Sequence, residues 1–221
     1  MTTERLQAVT CGICGRTTCV SVIMSTNRFG SADLDTRPPK MERWTISTRV
    51  QRCQSCGYCA GNIALAFPDA QAVIQSQAYQ NQLNDLDYPR LAASFLCKAI
   101  LEQAAGHTFS AAWSLIHAAW VCDDENKHEQ AAICRLKAVE LLTLVENDGT
   151  LDPEARDSHI AVRVDLLRRA GQLSQARQLI LDSKDRLAGR DVLSRIMEFQ
   201  LVLIANNDLS CHTVAEAFKA S

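Results

Sequence analysis

Cys11-Gly12-Ile13-Cys14-Gly15 and Cys53-Gln54-Ser55-Cys56-Gly57 repeat one pattern, a cysteine pair at i, i+3 followed by glycine. In such a knuckle the backbone N–H groups after the first cysteine point at its sulfur, and glycine permits the turn without a Cβ clash. Four thiolates arriving as two such pairs suit a tetrahedral Zn²⁺ with Zn–S distances of about 2.3 Å, and closed four-sulfur sites of this kind are structural. The expected ligands are Cys11, Cys14, Cys53 and Cys56, holding one zinc per chain. Iron is the alternative, because tetrahedral four-sulfur sites also accept it. Cys53-x-x-Cys56-x-x-Cys59 begins like an iron–sulfur run, but Ala60-Gly61-Asn62 follows and the next cysteine is Cys97.

Working outward, residues 17–26 (TTCVSVIMST) read as a strand leaving the first knuckle. Residues 41–52 (MERWTISTRVQR) alternate Trp44, Ile46, Thr48 and Val50 against Arg43, Ser47 and Arg49, which predicts a strand entering the second. Residues 27–40, with Gly, Ser, Asp and two prolines, read as an inserted loop that helps fill the 38 residues between Cys14 and Cys53. The expected first domain is a zinc ribbon over residues 1–66. Cys19 and Cys59 are expected as buried strand residues near the site, available as auxiliary thiols. Asp33, Asp35 and Arg37 concentrate charge beside Pro38-Pro39, which predicts either a binding loop or a loop pinned by an internal Asp–Arg pair.

Residues 67–221 change character. Apolar stripes at helical spacing run through Ala92, Phe95, Leu96 and Ala99, through Ala112, Leu115, Ile116 and Ala119, and through Ala131, Cys134, Ala138 and Leu142. Asp152-Pro153 signals an N-cap and first turn, and Gly171 ends the helix it opens. Ile160 to Ser183, with Gly171, Leu173 and Ala176 at a tight inter-helix turn, partly matches one tetratricopeptide repeat. The fold class expected is α+β, mainly α: a ribbon followed by a tetratricopeptide-like array of antiparallel helical hairpins.

The first residues lack the apolar core of a signal peptide and no apolar run reaches the roughly 20 residues of a membrane span, so a cytoplasmic location without membrane contact is expected. The formal net charge of −2 divides into +4 over residues 1–62 and −6 over the rest. A four-thiolate zinc site carries −2 and absorbs part of the positive excess. A nucleic-acid-binding ribbon, with Arg16, Arg28, Arg37, Arg43, Arg49 and Arg52 on phosphates, remains the alternative function. Asp123-Asp124-Glu125 reads as a solvated turn between helices. Trp113 and Trp120 share one side of a helix, as core or as a partner stripe. No phosphate loop, nucleophile elbow or HExxH is present, so no enzyme activity is expected.

The first knuckle, Asp33-Leu34-Asp35-Thr36-Arg37-Pro38-Pro39, the second knuckle ending at Tyr58, and Ala118-Ala119-Trp120-Val121-Cys122-Asp123-Asp124 together resemble the DUF2225 family of bacterial proteins. That resemblance implies a zinc-ribbon module joined to a tetratricopeptide-like domain, and it brings no activity with it. The expected function is a non-enzymatic zinc protein whose helical array docks a protein or peptide. An iron or thiol redox module is the third class.

Overall fold

The computed structural model describes residues 2–149, 152–187, 189 and 191–219. Strands β1 (Thr3–Thr10) and β2 (Thr17–Ser25) pair antiparallel, with Thr10 opposite Thr17. The two-residue strands β3 (Gln51–Arg52) and β4 (Cys59–Ala60) form a second antiparallel pair. Each knuckle is therefore the turn of its own hairpin. β1 was not foreseen, because TERLQAVT lies almost wholly exposed and carries little apolar alternation. Only one face of the first hairpin meets the core, through Val20 with Val9 and Val22.

The strand expected over residues 41–52 is corrected to helix followed by a short strand. Pro39 caps α1 (Lys40–Arg43), which continues as a 3₁₀ helix over Trp44–Arg49 before β3 begins. The true recurrence is three rather than two. Thr45 Oγ1 donates to Glu42 O and Thr48 Oγ1 to Thr45 O, each at 2.7 Å, so the hydroxyls reinforce i to i−3 spacing. Trp44, assigned by the alternation to an apolar face, stands 76% exposed.

The rest is helical: α2 (Ala70–Gln75), α3 (Gln77–Leu83), α4 (Arg90–Ala104), α5 (Thr108–Asp124), α6 (His128–Asn147), α7 (Pro153–Arg169), α8 (Leu173–Leu187), α9 (Asp191–Ala205) and α10 (Val214–Ala217). The Asp152 carboxylate accepts from the amides of Glu154 and Ala155, as Asp-Pro at a helix start predicts. Four helices end in the same way. A left-handed residue (Gly106, Asn126, Gly171 or Asn207) follows the helix, and the next amide reaches back to a carbonyl in the last turn: His107 to Glu102, Lys127 to Cys122, Gln172 to Leu167 and Asp208 to Leu203, at 2.7–2.9 Å. This closure turns each helix back sharply, so α4, α5 and α6 pack in sequence, as do α7, α8 and α9.

Two apolar cores result. The first joins Cys11, Val20, Cys53, Tyr58, Cys59 and Ile63 to the buried faces of α2 through α6, so packing is continuous across residue 66. The second is built by α7 through α10 and receives Leu34 from the 27–40 segment.

That segment is a loop, as expected, but it runs as a strap over the last helices. Leu34 N donates to His212 O, Val214 N to Ala32 O and Ala215 N to Ser31 Oγ, all at 2.9 Å. Asp33, Asp35 and Arg37 are buried. Asp35 accepts from the Trp120 indole at 2.8 Å and from Arg169 at 2.9 Å, and Arg169 bridges on to Asp123 at 2.6 Å. Arg37 binds Asp124, Arg43 binds Asp33 at 2.7 Å, and Arg135 also binds Asp123. One expectation changes and another is extended. The internal pinning is by partners on α1, α5 and α7 rather than by an Asp–Arg37 ion pair; Arg37 reaches Asp35 only through its backbone amide, at 3.2 Å. And Asp123-Asp124-Glu125, exposed at Asp124 and Glu125 as a solvated turn should be, is also ion-paired, Asp123 with Arg135 and Arg169 and Asp124 with Arg37.

Candidate metal centre

The two knuckles have matching backbones. Cys11 N donates to Arg16 O and Gly15 N to Cys11 O, both at 2.9 Å; Cys53 N donates to Tyr58 O at 2.8 Å and Gly57 N to Cys53 O at 3.0 Å. Gly15 and Gly57 hold φ of 69° and 76°, a region that disfavours a Cβ. The amides of Cys14 and Ile13 favour a thiolate at Cys11, those of Cys56 and Ser55 at Cys53, and that of Tyr58 at Cys56, the effect expected of knuckle N–H groups turned toward sulfur.

Facing one another, the knuckles bring Cys11 Sγ to 3.8 Å from Cys56 Sγ and Cys14 Sγ to 3.6 Å from Cys53 Sγ, with all four sulfurs within 4.8 Å. A tetrahedron with metal–sulfur bonds of about 2.3 Å has edges of about 3.8 Å. The donor set therefore fits a thiophilic cation. Its protonation chemistry agrees. Burial alone would raise the Cys53 thiol, but the Cys56 and Ser55 amides together with the Cys56 and Cys14 thiols outweigh it and bring it down to about 7. Cys56 moves up, because burial and the neighbouring thiols oppose a further negative charge. Four crowded sulfurs become thiolates together only around a cation.

Cys59, in β4, is buried, as expected, against Tyr79 and Cys97. Cys19, expected buried, is exposed on β2. Cys122 and Cys134 are buried side by side in the α5–α6 core. Of the six arginines considered for phosphate binding, Arg37 pairs with Asp124, Arg43 with Asp33, and both Arg28 and Arg49 with Glu42.

Sequence reading missed a polar cluster near α10. Asp208, Ser210 and His212 hydrogen-bond one another, yet Asp208 Oδ2 and Ser210 Oγ both lie on His212 Nε2, at 2.9 and 3.0 Å. A hydrolytic triad needs a carboxylate hydrogen-bonded to the other ring nitrogen, and here Nδ1 stands 3.6 Å from Glu216 Oε1 without a hydrogen bond. This cluster shapes a turn; its backbone carries the strap through Leu34 N to His212 O.

The chain is thus defined by a mainly α fold and a four-cysteine cluster at metal-binding separation. No family model matches it, no curated protein matches it, and no solved structure matches it. No helix among the described residues is long and apolar enough to cross a membrane.

Proposed function

We propose that this chain is a non-enzymatic zinc protein of the cytoplasm, in which a four-cysteine centre is a structural staple and the helical array docks a protein or peptide. The observation that carries the metal half is the pair of short Sγ separations, 3.6 and 3.8 Å, between cysteines 39 and 45 residues apart in sequence. Supporting the docking half is a cleft floored by Leu96, Ala99, Ile100, Leu115 and Leu141 and rimmed by Gln103, Lys137 and Glu140. The ion pairs that occupy Arg28, Arg37, Arg43 and Arg49 weigh against nucleic acid.

Elemental analysis of the purified chain tests the first half. One zinc per chain, lost in Cys56→Ser and kept in Cys122→Ser, is the expected result; a coloured, iron-loaded protein would move the centre to redox chemistry, and a metal-free chain would end the reading. For the second half, Ile100→Arg should abolish co-purification of a partner from the native cell while metal content stays whole. Co-purification unchanged by that substitution would remove the cleft from the account.

A further inference from the structure

The knuckles match in backbone and differ in surroundings. A Cβ placed on Gly15 meets nothing within 4 Å, whereas one on Gly57 meets Leu83 Cδ2 of α3 at 2.5 Å. Tyr79, fully buried on the same helix, donates from its hydroxyl to Gly57 O at 2.9 Å and accepts from Cys59 N at 3.1 Å. One phenol thus brackets the turn that follows Cys56. Arg90, at the head of α4, adds a 2.7 Å bond to the Gln54 side chain inside the knuckle.

The first knuckle is held differently. Its backbone reaches the loop after the second knuckle through Gly12 N to Ile63 O at 2.8 Å, and behind it stands a two-stranded hairpin whose outer strand is almost wholly exposed. An isolated hairpin of two strands is marginal in water, and here only Val9, Val20 and Val22 of its inner face engage the core.

The geometry points to a metal centre built in two unequal halves: Tyr79 is the positioning residue that keeps the second knuckle in its ligating form with or without metal, and the metal latches the first knuckle and hairpin β1–β2 onto it. This inference rests on the reading of the four cysteines as a metal centre. Its physical basis is that a ligand pair already ordered by the helices need not be ordered by the metal, so binding free energy is spent on the other pair. Leu83, Tyr79 and Arg90 belong to helices that fold around the first core; the 3–25 hairpin touches that core only through Val9, Val20 and Val22. Metal loss then frees one arm of the molecule and leaves the remainder folded.

Hydrogen exchange of the full chain, zinc-loaded and after chelation, tests the latch. Chelation should speed exchange across residues 3–25 at least tenfold, while residues 51–60 keep their protection. Tyr79→Phe, which removes only the hydroxyl, should lose the 51–60 protection in the metal-free chain and weaken zinc about 10–100-fold in chelator competition, the range for a lost outer-shell hydrogen bond. Its Co²⁺ absorption should shift as the sulfur geometry loosens. Tyr88→Phe, a phenol away from the knuckles, should leave metal affinity and spectrum unchanged; Leu83→Ala gives a second route to the same loss. Equal exchange in both knuckles after chelation, or an unchanged zinc affinity in Tyr79→Phe, overturns the proposal. A wild-type chain that binds neither Zn²⁺ nor Co²⁺ refutes the metal reading itself, and the latch with it.

Discussion

Replacing Asp35 by alanine removes the carboxylate on which the strap turns. Asp35 is fully buried and Arg169 nearly so. The substitution deprives Arg169 of one of its two carboxylates, leaves the Trp120 indole N–H without its acceptor, and strips the Arg37 amide of its own. Breaking one side of a buried ion pair costs about 3–5 kcal/mol, chiefly because the surviving charge stays buried. Arg169 keeps Asp123, which places the expected loss at the lower end, about 3 kcal/mol. At about 2–4 °C per kcal/mol for a chain of this size, the melting temperature should fall by roughly 6–12 °C. Urea unfolding followed by helical circular dichroism measures the loss directly. Asp35→Ala combined with Arg169→Met should recover part of it, since both charges are then gone and Asp123 still pairs with Arg135. A loss below about 1 kcal/mol, the size of an exposed pair, would refute the buried-strap account.

The knuckle glycines should differ on substitution by alanine. Gly15→Ala meets only the left-handed penalty, about 1–2 kcal/mol, whereas Gly57→Ala adds the collision with Leu83 and should cost distinctly more in thermal denaturation and in zinc affinity. Burial, helped by Arg49 and Lys98, holds the His117 imidazole down to about 3. The folded protein thus resists a proton that the unfolded chain accepts below about 6.5, so this contribution is whole above that pH and declines as acid is added, by about 2 kcal/mol at pH 5. His117→Phe, among Phe95, Trp113 and Trp120, should flatten that acid limb in urea titrations; an unchanged limb would contradict it. Nucleic acid binding, if measured, should be absent at low salt, and tight binding with a steep salt dependence would restore the alternative set aside by the arginine ion pairs.

The long helices from α4 to α6 were legible because their apolar stripes repeat over three or more turns, and the knuckles because two short spacings carry their own backbone chemistry; α2 and α3, of six and seven residues, are too short to show such a stripe. Residues 44–50 were misread because, over so short a span, a period of two resembles the three-residue recurrence that Thr45 and Thr48 enforce. Asp33, Asp35 and Arg37 stood out as charged loop residues, but their burial was invisible. Asp33 finds Arg43 only ten positions on, but the side-chain partners of Asp35 and Arg37, namely Trp120, Asp124 and Arg169, lie 85 to 134 positions away, and no local pattern announces such contacts. The same limit hid Tyr79, which in sequence is one more aromatic on a helix and in space holds the turn after Cys56.

A helical array in which most packing joins sequence neighbours, as from α4 to α9 here, can fray from its last helix. The strap removes that weakness. By hydrogen-bonding residues 31–34 to residues 212–215 and seating Leu34 in the core of α7 through α10, the fold turns a line into a ring. A ring has no last layer to peel, so the helices following α6 can open only by also surrendering Asp35, Trp120 and the seam at Asp123. Unfolding should accordingly run as one cooperative transition rather than as a melting that starts at one end.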